Sequence, residues 1–188
     1  MTRLALALAG CWLAAPLGAA ELISVSIERD GPRYIVESVS RYEASSEALQ
    51  HVLLDYDNFN QVSSVFKEAH YLEPAEDGTR RGYTRVEGCL LLFCQSIERI
   101  DRITVTEGPL IVAIAEPEPD DFRYSHGSWK FEQGEDSVVI YYRLEMEPGF
   151  WVPPVIGPYI MKRRLVDGAF DAMQRVEARA QAFDAGTY

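Results

Sequence analysis

Two cysteines, Cys89 and Cys94, are the residues whose type and spacing most directly suggest a covalent reaction. Five steps along a straight strand span about 17 Å, whereas a disulfide requires Cα atoms within about 7 Å. Bonding therefore requires a chain reversal at residues 90–93. The sequence predicts a tight hairpin closed by a disulfide, with two free buried thiols as the alternative. No metal site is predicted, because two thiols without a matching His or Cys pair do not form a tetrahedral zinc site.

The other side chains capable of catalysis form no recognisable constellation. His51, His70 and His126 stand on separate predicted elements, and their spacing does not bring them together. No serine lies in a nucleophile-elbow motif, and no glycine-rich loop is available to hold a phosphate. Chance pairs of carboxylates are inevitable among 29 acidic residues. We therefore predict no catalytic residues and no cofactor, and the sequence does not argue for an enzyme.

The first twenty residues have the layout of a secretory signal peptide. Arg3 supplies a positive start, residues 4–15 are mostly apolar, and Gly18-Ala19-Ala20 offers a small-residue cleavage site. Such an apolar stretch is too short to span a membrane. We expect cleavage after Ala20, which leaves residues 21–188 as a single domain.

A second interpretation of the leader remains open. Leu8-Ala9-Gly10-Cys11 matches a bacterial lipoprotein box, which would leave Cys11 acylated, although the segment before it is unusually short. We expect the mature chain in the periplasm. That oxidising compartment favours bonding of Cys89 to Cys94.

The charge of the chain excludes one class of partner. Removal of Arg3, the one charged residue of the leader, takes the net charge from −11 to −12. Binding of nucleic acid requires clustered basic surface, so we expect no nucleic-acid partner. The main local exception is the basic cluster Lys162-Arg163-Arg164.

The pattern of apolar and turn residues predicts an α+β fold. Residues 22–42 form either an opening hairpin or one long bent strand, and Ser45 or Ser46 caps the first of two short helices. We expect a bent antiparallel sheet of about seven strands around a long C-terminal helix, with the two short helices after the first strand. The later elements are predicted at 59–65 (second helix), 66–74, 80–89, 94–106, 109–115, 122–132 and 137–147 (strands), and 158–183 (final helix).

Three segments carry a resemblance to a known family. They are residues 53–59 at the helix pair, Asp121-Phe122 with Gly127–Phe131 on a strand, and Phe150–Pro154 before the last helix. Together with the order of elements they resemble the START-like superfamily, which includes polyketide cyclases, coenzyme-Q-binding proteins and the birch-pollen allergen family. The resemblance covers most of residues 21–188. It implies a helix-grip fold with a cavity between the sheet and the long helix.

Strand alternation indicates which side chains face that space. Residues 138, 140, 142, 144 and 146 should point inward, with filling of a dry core as the alternative to lining a cavity. The resemblance favours a cavity that binds a hydrophobic small molecule. The predicted ligand-binding residues are Trp129, Phe131, Ile140, Tyr142, Leu144, Phe150, Trp151, Phe170 and Met173.

Apolar loops are expected at one end of the sheet. In an antiparallel meander, residues 90–93 and 150–154 lie at the same end, and exposed apolar patches usually mark a ligand mouth, a partner or a membrane. A staple that docks residues 150–154 onto the last helix is the alternative. The predicted membrane-contact residues are Leu91, Leu92, Phe93, Trp151, Lys162, Arg163 and Arg164.

These features together predict a periplasmic carrier of a hydrophobic small molecule, such as a lipid, an isoprenoid quinone or a polycyclic compound. The resemblance to cyclases keeps a polyketide cyclase or aromatase as an alternative. A third possibility is an accessory module that docks a protein partner through its apolar rim.

Overall fold

The computed structural model describes residues 20–90, 93–106, 108, 110–116, 121–150 and 157–188. The described elements are the strands β1 (Glu21–Asp30), β2 (Arg33–Tyr42), β3 (Phe66–Leu72), β4 (Arg80–Leu90), β5 (Phe93–Thr106), β6 (Leu110–Ala115), β7 (Phe122–Gln133) and β8 (Val138–Pro148), the helices α1 (Ser46–Leu54), α2 (Phe59–Val62) and α3 (Gly157–Asp184), and a 3-10 helix at Tyr56–Asn58.

The strands form one antiparallel sheet in the order β1-β2-β8-β7-β6-β5-β4-β3. Strands β3 to β8 are therefore the predicted meander, and the β1–β2 hairpin is added to its edge through β2 pairing with β8. This order confirms the predicted α+β class and puts the turn between β4 and β5 at the end of the sheet where β8 finishes.

The opening segment differs from the prediction of about seven strands with helices after the first. The chain reverses at Gly31, whose φ of 57° favours glycine, so residues 21–42 form two strands and the described sheet has eight. The short helices consequently follow the second strand. Helix α2 stops at Val62 rather than residue 65, because Ser63 is extended with φ −149° and ψ 137°.

Helix α1 begins as its sequence predicts. The Ser45 hydroxyl accepts a hydrogen bond from the Ala48 amide at 3.0 Å, and Glu47 lies in the first turn. Its apolar face joins the core cluster that includes Met173 and Ala180 of α3. Helix α3 is also fixed near its end, where Arg179 pairs with Asp55 at 3.0 Å.

Candidate functional site

Burial along β8 follows the predicted alternation. Val138 and Ile140 are at most 3% exposed, whereas Tyr141 is 40% exposed. Leu144 and Met146 share the inward parity but are only partly buried. The inner face of the sheet therefore changes along the strand, from dry core to less closely covered surface.

A cavity of about 180 Å³ lies where that cover loosens. It sits at the end of the sheet where β8 finishes and β7 begins, since Phe122 pairs with Pro148. Its wall is apolar apart from one tyrosine hydroxyl, which suits the desolvation of an apolar group. The lining residues are Val36, Ile97, Phe122, Tyr142, Leu144, Met146, Pro148 and Phe150.

Asp121 ties together the chain segments around this cavity. Its carboxylate accepts a hydrogen bond from the Glu98 amide at 2.7 Å, and its carbonyl accepts one from the Gly149 amide at 2.9 Å. These bonds join the start of β7 to β5 and to the segment after β8. Asp121 thereby positions Phe150, whose ring lies 6.4 Å from that of Phe122.

The structure brings some of the predicted ligand residues together at the cavity. Tyr142, Leu144 and Phe150 line it. Trp129 stands behind Tyr142, with ring centroids 5.0 Å apart. These four residues therefore lie at or beside the cavity, and their role in binding a ligand stays a prediction.

The other predicted ligand residues lie elsewhere. Phe131, Ile140 and Met173 belong to the closely packed core, where they have at most 6% exposure. Phe170 is 52% exposed, so it is not part of the packed interface between helix and sheet. Trp151 lies outside the described residues.

A charged pair on β5 stands beside the cavity and was not foreseen from the sequence. Arg99 contacts one carboxylate oxygen of Asp101 through Nε at 2.8 Å and Nη2 at 2.7 Å. The Asp101 side chain is 1% exposed, and its other oxygen, Oδ1, has no hydrogen-bond partner. The Arg99 side chain keeps 24% of its surface accessible. Arg99 shares its strand face with Ile97 of the cavity wall, so it stands beside the cavity without being one of the lining residues.

The electrostatics of the polar centre, which we define as Arg99, Asp101, Tyr56 and Tyr142, follow from its burial. Burial raises the pKa of Asp101 more than the adjacent Arg99 guanidinium lowers it. Burial also opposes the charge of Arg99, but the Asp101 carboxylate offsets this and the pKa of Arg99 is raised. Burial raises the pKa of Tyr142 to about 12, so its hydroxyl is a neutral donor at physiological pH.

Tyr56 reaches the polar centre because β4 carries a glycine opposite Asp101. Gly82 pairs with Asp101, and a Cβ on Gly82 would lie 2.3 Å from the Tyr56 ring. The 3-10 helix thus packs directly against the strand backbone. Burial and the Asp101 carboxylate both raise the pKa of Tyr56.

One signal in the sequence would have found this pair. Residues 97, 99, 101 and 103 alternate as Ile, Arg, Asp and Ile, so the inward face of a central strand carries two opposite charges. Inward charges are costly unless they are paired or functional. The abundance of charges in residues 98–102 concealed the pattern.

The cysteine hairpin has the predicted backbone register. Cys89 and Cys94 are Cα partners at the end of the β4–β5 ladder, with residues 91–92 between the strands. Opposed positions suit a disulfide. Their side chains are not among those described, so the bond stays a prediction.

The predicted membrane-contact residues are only partly described. Leu91, Leu92 and Trp151 lie outside the described residues, as does Cys11. Phe93 begins β5, and Lys162, Arg163 and Arg164 lie on α3. Only Arg163 of these four has a described side chain, and it is exposed. In the described part of the chain, no helix is both long and apolar enough to cross a membrane.

The three histidines occupy separate places. The His51 ring stacks on Phe183 at 4.4 Å, and His70 lies 5.0 Å from the ring of Tyr83. His126 is on β7, away from both. Among the described side chains, no group of three or more His, Cys, Asp or Glu is placed to hold a metal ion.

Comparison with protein-family models and with curated protein sequences gave no match. Solved structures do match. A START superfamily protein from Mycobacterium smegmatis aligns with a TM-score of 0.61 and 19% identity, over 79% of this chain and 98% of that chain. The Zhui aromatase/cyclase from Streptomyces sp. R1128 aligns with a TM-score of 0.62 and 11% identity, over 83% and 99%.

A STAR-related lipid transfer protein fragment from Xanthomonas axonopodis aligns with a TM-score of 0.61 and 15% identity, over 87% of this chain and 99% of that chain. At such low identity these likenesses establish the fold alone. The resemblance predicted from the sequence is confirmed at that level, and the chain has the START-like helix-grip fold.

Proposed function

We propose that this protein binds and carries a hydrophobic small molecule in the periplasm. The observation that carries the proposal is an apolar cavity with a polar centre beside it. Two of the similar structures are, by name, a lipid transfer protein and an aromatase/cyclase. Both names are compatible with an apolar ligand inside this fold.

The two parts of the site have different tasks in this proposal. The apolar wall around Leu144 and Met146 removes the ligand's hydrocarbon part from water at roughly 25 cal/mol per Å² buried. Arg99 and the neutral Tyr142 hydroxyl donate hydrogen bonds to an oxygen of the ligand's head. A lipid, an isoprenoid quinone or a polycyclic compound has this combination of an apolar body and an oxygen-bearing head.

The cavity as described is smaller than a whole ligand of this kind requires. Its volume of about 180 Å³ compares with the roughly 300–1,000 Å³ of typical small-molecule sites. The side of the wall that carries Phe150 therefore moves outward when the ligand enters. Phe150 lies two residues after Pro148, the last residue of β8, so this movement leaves the sheet pairing intact.

Binding can be tested with one matched pair of variants. Native mass spectrometry of protein purified without detergent should find a co-purified apolar molecule, and a lipophilic fluorophore should compete for the site. Leu144→Trp fills the cavity and should abolish fluorophore uptake. Val139→Trp puts the same ring on the opposite face of β8 and should leave uptake unchanged. Equal uptake by the wild type and a well-folded Leu144→Trp variant would contradict the proposal.

An aromatase or cyclase activity is the second candidate. The polar centre favours it, because Arg99 could stabilise charge that develops on a ligand carbonyl. The two functions differ in the fate of the ligand. A carrier returns the molecule unchanged after incubation, whereas a cyclase returns a cyclic isomer of it, or a product lighter by water where dehydration follows ring closure. An accessory docking module instead predicts protein that purifies without any bound molecule.

Membrane docking completes the proposed carrier cycle. The cavity lies at the end of the sheet that also holds the β4–β5 turn and the segment after β8. Basic residues near an anionic surface contribute about 1 kcal/mol each, and Lys162, Arg163 and Arg164 would supply them. Wild-type protein should co-sediment weakly with anionic vesicles at low salt, and less at high salt. A Lys162→Glu, Arg163→Glu variant should lose this dependence on lipid charge. No wild-type co-sedimentation at low salt would count against docking.

A further inference from the structure

A buried carboxylate holds the start of the described chain. Glu177 of α3 is 5% exposed, and its Oε2 accepts a hydrogen bond from the Ala20 amide at 2.7 Å. Its Oε1 accepts one from the Glu43 amide at 2.8 Å. Ala20 itself is 3% exposed and belongs to the hydrophobic core. One side chain therefore joins the long helix to Ala20 and to the residue that follows β2.

The hydrogen bonds to Glu177 leave its charge incompletely balanced. Both donors are uncharged backbone N–H groups. In the described part of the chain, no lysine or arginine forms a salt bridge with this carboxylate. A buried carboxylate is costly unless it meets a positive charge. The Ala20 nitrogen, already in contact with Oε2, is where such a charge would be most effective.

We propose that the leader is removed between Ala19 and Ala20, and that the new α-ammonium group of Ala20 pairs with Glu177. Water adds across the Ala19–Ala20 peptide bond. The carbonyl carbon of Ala19 becomes a carboxylate on the released leader, and the nitrogen of Ala20 becomes an amine that takes a proton. A single hydrolysis thus replaces a neutral amide with a cation 2.7 Å from a buried carboxylate oxygen.

This cut lies one residue before the cut that the small-residue triplet predicted. Both sites have alanine just before the cut, but only the cut after Ala20 also has a small residue, Gly18, three positions before it, where the cut after Ala19 has Leu17. The leader pattern alone therefore favours the later cut, and the contacts of Ala20 favour the earlier one. Cleavage after Ala20 would discard a residue that fills the core and contacts Glu177. Cleavage after Ala19 keeps Ala20 in the core and in contact with Glu177, and it adds a positive charge beside that carboxylate.

The order of events follows from burial. The Ala19–Ala20 bond is cut while the exported chain is unfolded, and Ala20 becomes buried only when the chain folds. The ion pair therefore exists in processed protein alone, since an uncleaved chain has an amide at this position. Removal of the leader then increases the stability of the fold, independently of any ligand.

The cut is tested by the intact mass and N-terminal sequence of the protein exported from cells. A mature chain that begins at Ala20 is expected. A chain that begins at Glu21, or at any residue other than Ala20, would overturn the proposal.

The ion pair is tested with three purified forms that begin at Ala19, Ala20 and Glu21. The Ala20 form should have the highest Tm, with the Ala19 form about 5–10 °C lower because its amine lies one residue away. Glu177→Gln should remove the difference between the Ala19 and Ala20 forms. The control Asp171→Asn, which changes a 59% exposed carboxylate on the same helix, should preserve it. Equal Tm values for the Ala19 and Ala20 forms would overturn the pairing.

Discussion

The inner face of the sheet has two ends that differ in what covers them. At the closed end, which we define as Phe131, Val138 and Ile140, the side chains are at most 3% exposed and belong to one core with α1 and α3. At the open end, which we define as Phe122, Leu144 and Met146, similar apolar side chains line a cavity. Both ends lie on the same two strands, β7 and β8.

The difference shows that cover rather than side-chain type separates core from cavity. Ile140 and Leu144 are aliphatic residues of equal size with the same strand parity, yet only Ile140 is fully buried. The polar centre stands beside the open end. Where this apolar face is less closely covered, it borders a cavity instead of packed core.

The largest expected effect is on folding, at the closed end. Phe131→Ala should lower the free energy of unfolding by about 3–5 kcal/mol, because it creates a cavity in a closely packed region. Leu144→Ala should cost less than about 2 kcal/mol, because its neighbours already face a cavity. Urea denaturation of both variants and the wild type measures the two losses in the free energy of unfolding. Equal losses would mean that the two ends are packed alike.

The second effect concerns the charged pair. Asp101→Ala leaves Arg99 without its carboxylate, and breaking a buried pair in this way typically costs about 3–5 kcal/mol. We expect about 2–3 kcal/mol here, because Arg99 retains 24% exposure. The double variant Arg99→Met, Asp101→Leu should recover most of this loss. If it also keeps full fluorophore uptake, the polar centre has no part in binding.

The third effect tests the cysteine hairpin at the open end. Unfolded, unreduced mature protein should contain no thiol that reacts with a labelling reagent. Cys89→Ser should lower the free energy of unfolding by about 2 kcal/mol, since the closed loop is short. Labelling of two thiols per chain would show that the cysteines are free, and the apolar turn would then lack its cross-link.

The fold could be predicted from local patterns, and the site only in part. Alternation, glycine turns and the Ser45 cap located the elements to within a few residues. Parity alone places Tyr142 and Leu144 on the inner face, where they line the cavity, and their binding role stays a prediction. Arg99 and Asp101 were missed because their roles depend on which strand is central in the sheet. Phe170 was assigned to the interior because helical spacing alone does not show which residues of a helix are covered.

The smallest expected effect distinguishes the pair of Arg99 and buried Asp101 from the partly exposed pair of Arg81 and Glu116 by the sign of the response of stability to pH. The pKa of Asp101 is raised from 3.8 in the folded protein, mainly by burial, so protonation favours folding. Its contribution to stability is present below pH 3.8 and is lost as the pH rises through the pKa that Asp101 has in the folded protein. On the outer surface, a hydrogen bond from Arg81 lowers the pKa of Glu116 from 4.5.

The contribution of Glu116 to stability therefore depends on pH in the opposite sense. It is present above pH 4.5 and is lost as the pH falls through the pKa that Glu116 has in the folded protein. Urea midpoints of the wild type, Asp101→Asn and Glu116→Gln between pH 3 and pH 7 separate the two. With rising pH, the wild type should lose stability relative to Asp101→Asn and gain stability relative to Glu116→Gln. The gain over Glu116→Gln should be about 1 kcal/mol or less, because the pair of Arg81 and Glu116 is partly exposed. A wild type that gains stability over Asp101→Asn as the pH rises would mean that Arg99, rather than burial, dominates the polar centre. The polar centre would then contain a fully ionised pair, which favours an anionic or strongly polar head on the ligand.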